Sequence, residues 1–463
     1  MFNRFIVSAV LLALPALGGV ACAPKKHDAF QDVAALVRER SDRTIAWSQT
    51  PEDEKAAQQE VATLLAAPLT ADQAVQVGFL ENRSLQAAFE TLGVARADYL
   101  QASLPANPVI AGSRRTSDRP GVVANTEIGI TQSLLSLLTI AGRRRTADAE
   151  FEAAKLRAAS EVVRLEADLR TAFYRLQGDL QTVGMLEEIF ENLGAASQFA
   201  RRQRAAGNIS ELDAARQQAL LEEVRVALAR ARQSVLSRRE SLHRLMGLTG
   251  DEMEWQTVPK LPELPESDPP LEGLEDLALA RRADLLAKRQ EVESLARALK
   301  VTVHWRWVPL LDLGYDSERD TDGERVSGPN LAIELPIFDW GQGRVERFRS
   351  LLRRGQSEMA ALAVDIASEV REARGRVVEE RRIVANYATT LIPLREQIVA
   401  ESQKFHNYML IGIFSLLQAR RDETDAYRGY IESVRDYWIA RTDLERAAGG
   451  RIGVDPAPQE RND

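Results

Sequence analysis

Apolar residues recur at helical spacing through most of this chain and at strand spacing in only a few short segments. The longest helical pattern covers residues 143–204, where apolar side chains lie three, four and seven positions apart. Phe151, Leu165, Leu169 and Leu176 are examples. This spacing places the apolar side chains on one face of a helix. About sixty residues at 1.5 Å each form a helix of roughly 90 Å, which is longer than an ordinary globular core requires.

A helix, two strands and a long helical hairpin are predicted in the first half of the chain. Thr70 and Gln73 match a capping box, which predicts a helix that extends to about residue 102. Alternating apolar and polar residues then predict two strands, and Gly207 ends the long helix before a return helix. The strands are residues 109–116 and 123–133, and the return helix is residues 210–245.

The second half of the chain repeats this order. Its predicted strands are residues 305–317 and 331–338, its long helix is residues 344–408 with an interruption at Pro393, and its return helix follows Gly412 and ends before Gly449. Leu85 corresponds to Leu285, Pro108 to Pro309, Gly142 to Gly343 and Gly207 to Gly412, so the offset stays between 200 and 205. A colinear series of matches indicates an internal duplication.

A proline-rich linker separates the two halves, because five prolines fall within residues 259–270 and proline is costly inside helices. The predicted organisation has six parts. They are a signal peptide at residues 1–21, a lipidated N-terminal segment and linker at 22–68, a first repeat at 69–258, the linker at 259–270, a second repeat at 271–449 and a disordered tail at 450–463.

The amino terminus has the features of an export signal that ends at the only cysteine. Arg4 precedes an apolar run, residues 5–17, that is too short to span a bilayer as a mature helix. Gly19-Val20-Ala21-Cys22 then resembles a bacterial lipobox, in which the cysteine is acylated. The family pattern usually has leucine at the position of Gly19, so a plain signal peptide cut nearby is the alternative. Acylated Cys22 would hold the chain at a membrane.

Charge and composition argue against several classes of protein. The formal net charge is −8, and basic residues alternate with acidic ones, which does not favour nucleic-acid binding. The four histidines have no ligand spacing, and no phosphate-binding glycine loop, GxSxG or HExxH motif occurs. We therefore predict a protein that is not an enzyme and has no metal site and no cofactor.

The ordered elements and several local sequences resemble the TolC family of outer-membrane efflux proteins, and the lipobox resembles its lipoprotein subset. The resemblance covers residues 69–449 and includes "NPVIAG", "QSLLSLLTIAGRRRTADAE", "QRAAGNISELDAARQQAL" and "GPNLAIELPIFDWGQGR". It implies a mainly α fold with a small β part, built from two tandem repeats of helix–strand–strand–long helix–helix. Three copies would form a twelve-stranded β-barrel in the outer membrane and an α-helical barrel in the periplasm. The implied partners are two further copies, a periplasmic adaptor, an inner-membrane pump and outer-membrane lipid.

The resemblance also assigns roles to the two hairpin turns. The turns would face the adaptor, each with a glycine that allows a tight turn. Their residues are Gly207, Asn208, Ile209 and Ser210 in the first half, and Gly412, Ile413, Phe414 and Ser415 in the second. Acidic residues often follow the second glycine by six and nine positions in the family and ring the periplasmic entrance. Gln418 and Arg421 occupy those positions here, and only Asp213 keeps an acid in the first half, so the sign of the entrance charge stays open.

The function implied by the resemblance is a passive outer-membrane channel of a tripartite efflux pump, which conducts small molecules or ions from the periplasm to the exterior. The alternative is a periplasmic coiled-coil adaptor or scaffold lipoprotein without a pore. Two hairpins and two strand pairs favour the channel, because an adaptor usually has one hairpin. The predicted location is the outer membrane, lipid-anchored and extending into the periplasm.

Overall fold

The computed structural model describes residues 29–119, 121–258 and 260–452. The predicted signal peptide, Cys22, Pro259 and the tail after residue 452 lie outside the described residues. The chain groups into two compact units. Among the described residues, the strand unit contains residues 29–32, Glu90–Arg157 and Asp284–Leu362, and the helical unit contains Val33–Phe89, Ala158–Ala283 and residues 363–452. Each unit therefore takes segments from both halves of the chain.

Two helices occupy the segment predicted to be a linker, and the first repeat follows. The two helices are α1 (Ala29–Ser41) and α2 (Pro51–Leu65). The elements of the first repeat are α3 (Ala71–Glu81), α4 (Arg83–Ser103), β1 (Val109–Arg115), β2 (Asn125–Ser133), α5 (Leu134–Ala205) and α6 (Glu211–Met246), with a short 3₁₀ turn at Gly250–Met253.

The second repeat has the same order of elements. They are α7 (Leu274–Arg281), α8 (Ala283–Trp305), β3 (Leu311–Arg319), β4 (Arg325–Ile333), α9 (Gln342–Asn386), a π-helical turn at Tyr387–Leu391, α10 (Ile392–Asn407) and α11 (Ile413–Ala447). The predicted fold class, mainly α with a small β part in two tandem repeats, is confirmed.

The predicted helix over residues 70–102 is divided in two at Asn82. Its capping box is present, since Thr70 Oγ1 accepts from the Gln73 amide at 3.3 Å and Gln73 Oε1 accepts from the Thr70 amide at 2.9 Å. Asn82 interrupts the helix because its side chain has two other partners. Its Oδ1 accepts from the Leu85 amide at 2.8 Å and so caps α4, and its Nδ2 donates to the Leu245 carbonyl at 2.7 Å.

The two repeats share this break and the contact that surrounds it. Asn82 and Arg282 both have extended backbone between paired helices. Each return helix ends at a left-handed glycine, Gly247 (φ +82°) or Gly449 (φ +85°). Gly247 lies against the backbone of Asn82 and its neighbour, and Gly449 lies against the backbone of Arg282. The predicted duplication therefore extends to backbone conformation.

Two predicted element boundaries in the second half are wrong. Residues 305–310 are not strand, because α8 continues to Trp305 and β3 begins at Leu311. The last strand is Arg325–Ile333 rather than residues 331–338, because Ile333 already pairs with Leu311 at the end of β3. The apolar residues that follow have no strand opposite them and are exposed: Leu335, Ile337 and Phe338.

The interruption predicted at Pro393 is a π-helical turn just before that proline. The wide turn occupies Tyr387–Leu391, and Pro393 follows it in the first turn of α10. Proline has no N–H to donate within a helix, and a wide turn is a local change of helical hydrogen bonding. The Tyr387 hydroxyl lies against Gly429 of α11, where a Cβ would not fit without a shift. The first hairpin has no such turn in α5, which is one continuous helix of 72 residues.

The four strands form one antiparallel sheet in the order β1-β2-β3-β4. Ile110 pairs with Ile130, Ile130 with Tyr315, and Tyr315 with Pro329, so these four residues share one face of the sheet. In the described part of the chain, β1 and β4 pair on one side only.

An ionic cluster around Arg170 joins α3, α5 and the residues after α11 in the helical unit. The guanidinium donates to Glu166 at 3.1 Å and to Asp72 at 2.7 Å, and Arg451 lies 3.5 Å from the same Asp72 carboxylate. Burial raises the pKa of Asp72, but Arg170, Arg43 and Arg451 together hold it below its ordinary value. Asp72 therefore stabilises the fold above its unfolded pKa, and this contribution is lost as the pH falls through its folded pKa.

Candidate functional site

The two faces of the sheet differ in polarity, which follows from alternation along each strand and from the register between strands. One face, called here the apolar face, carries large exposed side chains in its central rows. They are Ile110, Ile128, Leu313, Tyr315, Leu331 and Ile333, each between 42% and 74% exposed. At the turn end of the sheet the same face carries Arg114, Arg319 and Arg325, which the register places in one row.

The opposite face, called here the acidic face, carries carboxylates and small residues. Its acidic side chains are Glu127, Asp312, Asp316 and Glu318, and Arg115 is its only basic one in the paired strands. Glu318 accepts from Asn125 Nδ2 at 2.6 Å, and Asp316 accepts from Asn330 Nδ2. Gly129 leaves space for the Asp316 carboxylate, since a Cβ there would overlap it. Asp316 and Glu318 are therefore held by neighbours on their own face.

Aromatic side chains lie at the helix end of the sheet, near the end of β4. Trp307 and Trp340 stack with ring centroids 5.7 Å apart and planes inclined by 12°. The Arg306 guanidinium lies over both rings, 4.8 Å from Trp307 and 5.1 Å from Trp340. Phe338 beside them is 91% exposed. Aromatic residues in such a position are typical of the boundary between hydrocarbon and water at a membrane surface.

The first hairpin turn has the predicted glycine geometry. Gly207 has φ +77°, and its amide and that of Asn208 donate to the carbonyls of Arg204 and Gln203, both at 2.9 Å. Two such bonds close the end of a helix at a left-handed residue. Ser210 caps α6, since its Oγ accepts from the Asp213 amide at 3.1 Å.

The second hairpin turn corrects the prediction for Gly412. Gly412 has φ −73° and has no other atoms near its Cβ position, so the turn does not require a glycine there. Met409 is the left-handed residue instead, with φ +59°, and its amide and that of Leu410 make the two closing bonds at 2.9 Å. Gly412 is the residue before α11, as Ser210 is the residue before α6. The structural offset at the turns is thus 202, from Gly207 to Met409 and from Ser210 to Gly412.

Of the three predicted entrance residues, the structure brings Gln418 and Arg421 together. Both line a hollow of about 170 Å³ between the two hairpins near their turns. Arg421 lies 3.3 Å from Glu223 of α6, and Gln418 donates to Asp422 at 2.8 Å. Asp213 does not line this hollow, because it lies in the first turn of α6, 3.7 Å from Arg216.

The hollow contains residues that the sequence analysis did not select. Arg216 lies over the Phe414 ring at 5.0 Å, which forms a second link between the hairpins beside the pair of Arg421 and Glu223. Residues 216, 220 and 223 share one face of α6, and residues 414, 418 and 421 share one face of α11, because each set follows helical spacing. The helical spacing of these two sets of residues was the signal in the sequence that could have identified them.

Ionic side chains also link α10 to α11 above this hollow. Arg395 donates to Asp422 at 2.9 Å. The Tyr427 hydroxyl donates to Glu396, and this hydrogen bond raises the pKa of Tyr427 to about 12. The hydroxyl is therefore protonated across the physiological pH range, and it remains a donor to Glu396.

Neither a metal cluster nor a spanning helix is found in the described residues. Over residues 29–119, 121–258 and 260–452, no three His, Cys, Asp or Glu side chains are grouped to hold a metal ion. Within the same ranges, none of the helices combines the length and the apolar character needed to cross a bilayer.

Comparisons with known proteins agree with this geometry. Residues 80–248 match the model of the family described as "Outer membrane efflux protein". The chain is 25% identical over 399 residues to the cobalt-zinc-cadmium resistance protein CzcC of Cupriavidus metallidurans, and the match covers 83% of this chain and 91% of that relative.

Solved structures share the fold. A membrane protein from Pseudomonas aeruginosa aligns with a TM-score of 0.71 and 20% identity, over 82% of this chain and 92% of the other. The outer membrane protein VceC from Vibrio cholerae aligns with a TM-score of 0.70 and 14% identity, over 82% of this chain and 96% of the other.

Two long helical hairpins and a four-stranded sheet with one apolar and one acidic face give this chain the fold of solved outer-membrane proteins such as VceC. The chain is similar to the outer membrane efflux protein family, whose model matches residues 80–248. The predicted resemblance is confirmed, and so is the predicted function as the passive channel of an efflux system. The scaffold without a pore receives no support from the comparisons.

Proposed function

We propose that this channel conducts small cations, and divalent metal cations in particular, from the periplasm to the exterior. The observation that carries the proposal is the acidic face, where four carboxylates outnumber one arginine across the paired strands. Fixed charges of one sign raise the local concentration of counter-ions inside a narrow passage with low-dielectric walls. The similarity to a protein named for cobalt, zinc and cadmium resistance supports the same cargo. A conduit needs no metal-binding cluster, since cargo must leave as readily as it enters.

A homotrimer is proposed as the conducting form. The open edges of β1 and β4 favour pairing with further copies, because unpaired strand edges are costly in lipid and invite pairing in water. β1 and β4 run in opposite directions, so three copies would close twelve strands in an antiparallel order. The apolar face would then meet lipid, and the acidic face would line the passage.

The remaining partners follow from the family. The channel would receive cargo from an inner-membrane pump through a periplasmic adaptor, and the hairpin turns around Gly207 and Gly412 would face that adaptor. The links across the hollow, Arg421 with Glu223 and Arg216 with Phe414, are candidates to hold the entrance narrow. Arg421 and Glu223 are both more than half exposed, so their pair contributes no more than about 1 kcal/mol.

Conductance tests the channel directly. The purified protein, added to a planar bilayer without nucleotide, is expected to give stable current steps that depend linearly on voltage, because a passive pore needs no energy source. A matched detergent extract from cells that lack the gene is the control. Absence of current steps, together with release of the protein from membranes by salt alone, would favour the scaffold instead.

Lipidation of Cys22 is proposed as a second attachment to the outer membrane, although this residue lies outside the described part of the chain. Replacing Cys22 with serine is expected to abolish incorporation of an alkyne-labelled fatty acid, since the chain has no other thiol. Ser8→Ala within the signal region is the control and should leave labelling unchanged. Labelling that persists in Cys22→Ser would exclude acylation at this residue.

A further inference from the structure

The two hairpin turns present different surfaces, although they close with the same backbone hydrogen bonds. In the first turn the left-handed residue is Gly207, and the next residue is the polar Asn208. In the second turn the corresponding residues are Met409 and Leu410. Tyr408, Met409 and Leu410 are 77%, 93% and 66% exposed, and we call these three residues the apolar tip.

Met409 occupies its position at a conformational cost. A side chain with a Cβ is disfavoured at φ +59°, and glycine occupies the equivalent place in the first turn. The left-handed backbone directs the methionine to solvent, where 93% of it is exposed. Methionine is flexible and polarizable, which suits a contact surface that must adapt to a partner. Contact with a partner explains Met409 better than stabilisation of the fold does, because its side chain is almost fully exposed.

The helix that ends at the first turn is basic instead. Arg201, Arg202 and Arg204 lie near its C-terminal end, the last two in its final turn, and all three are exposed. Only Arg204 has an acidic partner, Glu211 at 2.9 Å, among the ion pairs of the described residues. The two turns therefore offer one apolar and one basic contact.

We propose that the apolar tip and the arginines that precede the first turn together form the adaptor-docking surface. The apolar tip would hold the bound adaptor, and the arginines would attract it during association. This inference rests on the proposed docking of a periplasmic adaptor at the hairpin turns. The partner it specifies is an adaptor hairpin whose end carries apolar side chains flanked by carboxylates. Buried apolar contacts set the dissociation rate, whereas complementary charges mainly set the association rate and its salt dependence.

The test uses the purified full-length protein in detergent and its purified cognate adaptor, with binding measured by biolayer interferometry. Met409→Asn and Leu410→Ser are expected each to weaken binding about tenfold, mainly through faster dissociation. Asparagine tolerates a left-handed backbone, so Met409→Asn removes the apolar side chain and keeps the turn. Leu236→Ser, which replaces a similarly exposed leucine (60%) on α6 away from both turns, is the matched control and should change the affinity less than twofold.

Arg201→Gln with Arg202→Gln is expected to slow association and to reduce its dependence on salt, with little change in dissociation. Equal affinity of the two apolar-tip variants and the parent would overturn the proposal. So would loss of self-association in those variants with adaptor binding unchanged, because the apolar tip would then contact a second copy of this chain.

Single-channel conductance of each variant separates this proposal from the proposed function. If the parent protein conducts and the apolar-tip variants bind the adaptor as tightly as the parent does, only the docking inference is contradicted. If the apolar-tip variants bind the adaptor more weakly than the parent but the parent never conducts, only the proposed channel function is contradicted.

Discussion

Gly247→Ala is expected to destabilise the helical unit by about 3 kcal/mol or more, which is among the largest effects of a single added methyl group in this chain. Two costs add at this residue. The backbone has φ +82°, which is unfavourable for alanine by about 1–2 kcal/mol. The new Cβ would also lie 2.5 Å from the Glu81 carbonyl oxygen and 2.8 Å from its carbon. Both atoms belong to backbone, which cannot rotate away as a side chain can.

Gly250→Ala is the matched control for Gly247→Ala. Gly250 has φ +61°, but nothing lies within 4 Å of its Cβ position, so only the backbone cost of about 1–2 kcal/mol applies. Thermal unfolding followed by far-ultraviolet circular dichroism gives the unfolding midpoint of both variants. Equal shifts of the unfolding midpoint in the two variants would show that the close packing at Asn82 contributes nothing.

Neutralising the acidic face is expected to remove most of the cation preference of the channel. The variant combines Glu127→Gln, Asp312→Asn, Asp316→Asn and Glu318→Gln, which keep the shape of each side chain. Three copies would lose twelve negative charges from one passage, because each chain contributes four. The cation-to-anion permeability ratio, obtained from the reversal potential in a salt gradient, should fall by at least about threefold.

Glu52→Gln supplies the control for this charge change. Glu52 lies in the first turn of α2 and is exposed, far along the chain from the strands. Its neutralisation should leave the permeability ratio unchanged. An unaltered ratio in the fourfold variant would mean that the acidic face does not line the passage, and the proposed cation selectivity would then be wrong.

Local signals in the sequence were sufficient for the long helices and their order. Helical spacing predicted α5, and the capping box at Thr70 and Gln73 has the predicted hydrogen bonds. Gly207 was identified correctly because a left-handed helix end favours glycine whatever surrounds it. These features depend on residues close together in the sequence.

The features that sequence analysis missed depend on distant residues. Asn82 ends α3 because it bonds to the Leu245 carbonyl, 163 positions away. Strand β4 ends at Ile333 because β3 begins at Leu311, and the apolar residues beyond Ile333 gave a strand pattern without a strand to pair with. The segment from Gly343 to Met409 is one residue longer than the segment from Gly142 to Gly207. This extra residue brings Met409 to the left-handed position.

The π-helical turn accommodates that extra residue. The offset between repeats is 201 at Gly343 and 202 at Met409, and the wide turn at Tyr387–Leu391 lies between them. A π-turn is what an α-helix becomes when it accepts a single inserted residue without a break in its hydrogen bonding. After duplication, an insertion of one codon in the second copy would thus have been absorbed inside the helix, and the hairpin could keep its reach while its turn acquired a new amino-acid sequence.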